Sequence, residues 1–246
     1  MAVPLVEARN ITKTFPSSDG SAVPVLRGIS LAVAPGEFVA IVGPSGSGKS
    51  TLLYCLSGLE PTTSGEVSIA NKRLDNLPAK ALAKLRRDHI GFVFQTFNLI
   101  PSLTASENVA LPATLAKRRL SGTQVAAALA AVGLSEQHDR RPGNLSGGQQ
   151  QRVAIARVLA TGPQLVFADE PTGALDTHAG AAVLELLRSL AGGDRAVVMV
   201  THDLEAAARA DRVLVLRDGV VHRELLRPDS AAILQALDSA RLEGAL

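Results

Sequence analysis

Short apolar runs rich in β-branched residues recur along this chain, separated by longer segments with helical spacing. In the N-terminal third the pattern predicts strands over Leu5–Ile11, Val25–Val33, Glu37–Val42 and Glu66–Ile69. The run Glu37–Val42 reads as a buried strand of a parallel sheet, and Lys49–Leu56 as the start of a helix. Between Gln95 and Leu145 the pattern turns helical and Ala-rich, punctuated by Pro101, Pro112, Gly122 and Gly133. This stretch, about 96–160, reads as a helical subdomain inserted into a larger core. Strands and helices then alternate over Leu165–Ala168, His178–Leu190, Ala196–Thr201, Leu204–Ala210 and Val213–Leu216. That βαβ rhythm predicts an α/β fold, a mainly parallel sheet with helices on both faces. The expected organisation is one domain over 5–228 and a helical tail over 229–246, its helix near Ala231–Leu242.

Composition adds constraints. With 246 residues and 46% hydrophobic content, the chain can bury a substantial core. No stretch reaches the ~20 apolar residues of a membrane helix, and the start lacks the basic and apolar regions of a signal peptide. The single cysteine, Cys55, cannot form an internal disulfide and reads as a small core filler. Together these features predict a cytosolic location. Charges of 25 basic against 23 acidic leave only +2, too balanced to argue for nucleic acid. Lys84–Arg87 and Lys117–Arg119 read as solvated faces with at most mild attraction to anionic lipid.

Between the predicted strand Glu37–Val42 and the following helix lies Gly43-Pro44-Ser45-Gly46-Ser47-Gly48-Lys49-Ser50-Thr51. A polyphosphate needs several N–H donors converging on one spot, unobstructed by side chains. Glycines supply that curvature, and the helix N-terminus adds its positive dipole end. The pattern is a phosphate loop in its required strand and helix context. It assigns Lys49 to the β- and γ-phosphates, the Ser50 hydroxyl to Mg²⁺ and Thr51 to the α-phosphate.

A second strand, Gln164–Ala168, runs into Asp169-Glu170. Adjacent half-buried carboxylates are costly unless a cation or proton transfer uses them. Asp169 is expected to hold Mg²⁺, and Glu170 to act as general base toward the attacking water. A third strand, Arg195–Thr201, ends at His202, at the carboxyl edge where parallel sheets gather ligands. His89, His138, His178 and His222 read as structural.

Ser146-Gly147-Gly148-Gln149 fits a capping box opening a helix, which Gly162-Pro163 ends. A cap needs no glycines, and each weakens a helix by ~1 kcal/mol relative to alanine. Close approach of a phosphate to the helix N-terminus would account for both.

Taken in order, these motifs resemble the ATP-binding cassette (ABC) ATPases. The resemblance rests on the phosphate loop at 43–51, Gln95 ending a strand, Leu145–Gln149, Asp169-Glu170, Gly173-Ala174-Leu175-Asp176 and His202. Gly91–Gln95, Phe97-Asn98-Leu99, Glu107-Asn108-Val109 and Asp169–Gly173 look like the branch serving lipoprotein release, macrolide and peptide export, and cell division. It implies a P-loop NTPase core with an N-terminal antiparallel β subdomain and the inserted helical subdomain. It further implies ATP and Mg²⁺ as ligands and a head-to-tail homodimer or pseudo-dimer. There Ser146, Gly147, Gly148 and Gln149, with Asp176, would meet nucleotide held by the opposite subunit. Phe15 would stack on adenine, and Gln95 would join Ser50 and Asp169 around Mg²⁺ and couple to the attacking water. A separate membrane permease would dock beside the apolar segment Phe97, Leu99, Ile100, Pro101 and Leu103. Two other readings are a non-transporting envelope or cell-division complex and a soluble DNA-repair type of ABC ATPase. A GTPase is disfavoured, because Asn71-Lys72 continues as Arg73-Leu74 rather than toward a guanine-reading Asp.

Overall fold

The computed structural model describes residues 3–17 and 21–242. Its centre is a six-stranded sheet in the order β10-β9-β3-β8-β7-β6. The strands are β3 (Phe38–Val42), β6 (Ile90–Phe94), β7 (Leu165–Asp169), β8 (Ala196–Val200), β9 (Arg212–Arg217) and β10 (Val220–Leu226). The first five are parallel; β10 runs antiparallel to β9. Every residue of β3 and β8 is buried, which explains their uninterrupted apolar runs. Alternation along β3 feeds two cores. Phe38, Ala40 and Val42 join one apolar cluster, while Val39 and Ile41 join the other on the opposite face.

The second cluster lies beneath a four-stranded antiparallel sheet, order β2-β1-β4-β5. It comprises β1 (Val6–Pro16), β2 (Ala22–Val33), β4 (Ser64–Ile69) and β5 (Lys72–Arg73). Helix α1 (Lys49–Leu56) contributes Leu52, Leu53, Cys55 and Leu56 to the same core. Helix α2 (Ala79–His89) went unread in the sequence because Leu85 is its one buried residue. The basic run Lys84–Arg87 lies on it, and Arg86 is more than a solvated face, donating to the Gly58 carbonyl.

Between β6 and β7 come α3 (Ala105–Leu115), α4 (Gly122–Ala131), a 3₁₀ turn at Pro142–Asn144 and α5 (Gly147–Thr161). Pro112 does not interrupt α3, contrary to its reading as punctuation. Proline removes one N–H, but a complete Thr104–Glu107 capping box and packing against α5 sustain the helix around it. After β7 come α6 (Thr177–Leu190), the short α7 (Leu204–Ala207) and α8 (Ser230–Leu242). Ile233, Ala236 and Ala240 of α8 are buried in the first core. Strand β10 escapes sequence reading because it is an edge strand with no fully buried residue and polar residues at its centre.

The segment from Phe97 to Leu103 is held from below by Asn108, whose side chain is fully buried. Its Oδ1 accepts from the Ile100 N–H at 2.8 Å, and Nδ2 donates to the carbonyls of Ile100, Leu103 and Thr104 at 3.2, 3.2 and 2.9 Å. Asn108→Ala is expected to lower stability by about 2 kcal/mol, because these groups lose their partner inside the protein. Urea unfolding measures the change, and an unaltered midpoint would contradict it.

Candidate functional site

Parallel pairing puts the carboxyl ends of β3, β6, β7 and β8 at one edge. Ile41 faces Val200, Val200 faces Asp169, and Asp169 faces Phe94. The phosphate loop, His202, Glu170 and Gln95 therefore emerge side by side.

In the loop, a Cβ on Gly43 would lie 2.2 Å from the Leu216 carbonyl oxygen, so no other residue fits there. Gly48 precedes α1 with φ +97°, in the left-handed region. No side chain caps α1, so its first N–H groups have no side-chain acceptor at the N-cap. The Ser47 hydroxyl is buried without a hydrogen-bond partner. Lys49 Nζ donates to the carbonyls of Gly43 at 2.9 Å and Pro44 at 3.0 Å. Burial holds the Lys49 ammonium below its usual pKa, opposed by the charges of Glu170 and Asp169. Val25, Gly46, Gly48, Lys49, Ser50 and Thr51 line a cleft of about 300 Å³. Ser45 is exposed at the rim.

Ser50 Oγ donates to Asp169 Oδ1 at 3.1 Å, joining residues 119 apart in sequence. The Tyr54 hydroxyl donates to Asp169 Oδ2 at 2.6 Å. Burial first, and then this hydrogen bond, push the phenol up to about 12. Tyr54 was missed in the sequence, although a signal existed. It lies four residues after Ser50, so both hydroxyls project from one face of α1. Glu170 adopts φ +48°, a left-handed conformation costing a non-glycine residue roughly 1 kcal/mol. Its Oε2 lies 2.9 Å from His202 Nδ1, with the carboxylate mostly covered and the imidazole largely exposed. The Gln95 amide nitrogen lies against Gly173, where a Cβ would approach it to 2.8 Å.

Helix α5 braces this edge. Gln151, fully buried, donates from Nε2 to the carbonyls of Phe94 at 3.2 Å and Pro171 at 2.6 Å. It thus links the residue before Gln95 to the residue after Glu170. Arg157 donates to the carbonyls of Asn98 at 2.7 Å and Phe97 at 3.4 Å. Those two residues have φ of +51° and +59°, respectively. The sequence carries no local signal for these contacts, whose partners lie 20 to 60 residues away.

The capping box opening α5 is present. Ser146 Oγ accepts from the Gln149 N–H at 3.3 Å, and Gln149 Oε1 accepts from the Ser146 N–H at 3.0 Å. The two glycines differ. A Cβ on Gly147 would find only ordinary contacts, the nearest Phe97 Cζ at 3.5 Å, whereas one on Gly148 would reach Ala179 Cβ at 2.7 Å. Helix packing against α6 thus already requires Gly148, and phosphate approach is not needed to explain it. Asp176 caps α6, its Oδ1 accepting from the Ala179 N–H at 2.9 Å. Phe15 is half-buried on β1, outside both cores, with Lys13 Nζ 4.7 Å from its ring centroid. In the apolar segment Ile100 and Pro101 are exposed, while Leu99 packs on the first core.

The family model described as ABC transporter matches residues 26–173. This chain belongs to the ABC transporter family. The pyoverdine export ATP-binding/permease protein PvdT of Pseudomonas fluorescens is 48% identical over 247 residues, covering 97% of this chain and 38% of that protein. The macrolide export ATP-binding/permease protein MacB of Shigella flexneri is 48% identical over 224 residues, covering 89% of this chain and 34% of that protein. The chain therefore spans little more than a third of these relatives' length. Among solved structures, the dimeric post-hydrolysis state of the cassette MJ0796 bound to ADP and Pi is 44% identical, with a TM-score of 0.83. It covers 91% of this chain and 99% of that one. The cbiO1 protein of Clostridium perfringens, part of the transporter complex cbiONQ, is 28% identical with a TM-score of 0.78, covering 94% and 91%.

The loop fits a polyphosphate: it offers an uncapped helix N-terminus, an unpartnered Ser47 hydroxyl and a desolvated lysine. For a divalent cation the available donors would be hard oxygens, Ser50 Oγ and Asp169 Oδ1. Among the described residues no cluster of three or more His, Cys, Asp or Glu forms a metal cage. Two hard oxygens fit a cation such as Mg²⁺, which takes its remaining ligands from phosphate and water. No helix among the described residues is long and apolar enough to cross a membrane.

The difference between the glycines is testable without nucleotide. Gly147→Ala is expected to leave thermal stability unchanged or up to ~1 kcal/mol higher. Gly148→Ala is expected to lower it by about 1–3 kcal/mol through overpacking against α6. Melting curves of the two variants measure this; equal shifts would refute the packing argument.

Proposed function

We propose that this chain is the ATP-hydrolysing motor of a membrane exporter and works as a head-to-tail dimer on the cytoplasmic face. The observation that supports this most is the Glu170–His202 contact at 2.9 Å, standing beside the Ser50–Asp169 pair. In this reading the backbone of 43–51 and Lys49 hold the β- and γ-phosphates, and Thr51 holds the α-phosphate. Phe15 stacks on the base. Ser50 and Asp169, with Gln95, hold Mg²⁺, which when bound offsets the phosphate charge. Glu170 accepts a proton from the attacking water, and His202 orients the carboxylate and touches the γ-phosphate. The helix N-terminus at Ser146, Gly147, Gly148 and Gln149 has its own subunit's Phe97, Ala174 and Leu175 beneath it. It is assigned to the γ-phosphate on the opposite subunit, with Asp176 near the same junction. ATP closes the dimer and hydrolysis reopens it.

Two likenesses support the dimer and the membrane partner. The MJ0796 structures are dimeric, and the curated relatives join ATP-binding to permease functions in proteins far longer than this chain. The exposed Ile100 and Pro101, beside the Gln95 turn, are the proposed permease contact.

Glu170→Gln is expected to accumulate an ATP-bound dimer on size-exclusion chromatography in saturating Mg-ATP. Lys49→Ala should remain monomeric there and lose roughly a hundred-fold or more in ATPase rate. A Glu170→Gln protein that elutes only as monomer would defeat the closure mechanism. Affinity purification from detergent-solubilised membranes should recover a membrane-spanning permease in stoichiometric amount. Ile100→Asp should abolish that recovery without altering the basal ATPase rate, and undiminished recovery would remove the docking assignment.

A further inference from the structure

We propose that Tyr54 is a positioning residue for the cation site, fixing the Asp169 carboxylate so that Oδ1 is presented toward Ser50. The inference rests on the reading of Ser50 and Asp169 as the Mg²⁺ ligands.

The two oxygens of Asp169 have separate partners. Oδ1 accepts from Ser50 Oγ at 3.1 Å, and Oδ2 accepts from the Tyr54 hydroxyl at 2.6 Å. A carboxylate can rotate about its bond to the β-carbon, and a single hydrogen bond leaves it free to offer either oxygen. Two donors from one helix face remove that freedom. The shorter bond belongs to Tyr54, so the phenol is the firmer anchor and Oδ1 is the oxygen left for metal. The tyrosine is itself immobilised. Its ring packs against the second apolar core. Its carbonyl accepts from the N–H groups of Leu59 at 2.9 Å and Glu60 at 3.1 Å and from Ser57 Oγ at 3.1 Å, tying the end of α1 to the loop beyond. A donor on such a rigid support holds a metal ligand in its binding orientation before the cation arrives, and outer partners of this kind strongly influence metal affinity. No role in phosphate binding is assigned to Tyr54, so its effect should appear only when the metal is present.

Tyr54→Phe keeps the packed ring and deletes only the donor. Equilibrium binding of a fluorescent ATP analogue is measured in EDTA and across a Mg²⁺ titration, with Mn²⁺ binding to the ADP complex followed by electron paramagnetic resonance. The expected result is unchanged affinity in EDTA, a Mg²⁺ half-saturation raised about ten-fold, and weaker Mn²⁺ binding. Superimposable Mg²⁺ titrations for the two proteins would overturn the proposal. So would an equal loss of affinity in EDTA and in Mg²⁺, which would mark general loosening of α1. Asp169→Asn separates the proposal from the reading beneath it. If Asp169→Asn abolishes the Mg²⁺ dependence and Tyr54→Phe leaves it untouched, the positioning role alone falls. If Asp169→Asn has no effect either, the metal assignment falls with it.

Discussion

Parallel pairing of β3, β8, β7 and β6 is the constraint on which the rest of this molecule depends. Because the four strands run the same way and their registers align Ile41, Val200, Asp169 and Phe94, their carboxyl ends share one edge. Whatever follows each strand is delivered to the same place. Those continuations are the phosphate loop, His202, Glu170 and Gln95. The strands reach that arrangement through burial on both faces, and so none can slip by one residue without exchanging its two apolar sets.

The second organising element is α5. Its N-terminus carries Gly147 and Gly148, its first turns carry Gln151, and its later turns carry Arg157. Gln151 and Arg157 together hold the backbone on both sides of Gln95, and Gln151 also holds Pro171 beyond Glu170. The helix that begins at the two glycines is thus tied by hydrogen bonds to the Gln95 turn and to the backbone beyond Glu170. Left-handed backbone at Phe97, Asn98 and Glu170 persists because these bonds and the strand edge hold it.

Much of the site was legible beforehand. Lys49, Ser50, Asp169 and Glu170 follow apolar strands in patterns whose chemistry is local, and Ser146–Gln149 announced a capped helix that the structure contains. The misses have physical causes. Helix α2 buries a single residue and β10 is an exposed edge, so neither leaves a strong apolar period. The packing reason for Gly148 is equally hidden, because a sequence reports that a side chain is missing without reporting what occupies its space. Here that space belongs to Ala179.

Local interactions span a few residues and leave their period in the order of amino acids. The sequence alone thus determined most strands of the main sheet, most of the helices, the caps and the glycine-rich loop. Contacts between distant segments were decided only by tertiary structure: Ser50 and Tyr54 on Asp169, Gln151 on Phe94, and Arg157 on Asn98. The reason is that β3, β6, β7 and β8 are almost equally apolar. Hydrophobicity says that each must be buried, but only the folded sheet settles which lies beside which.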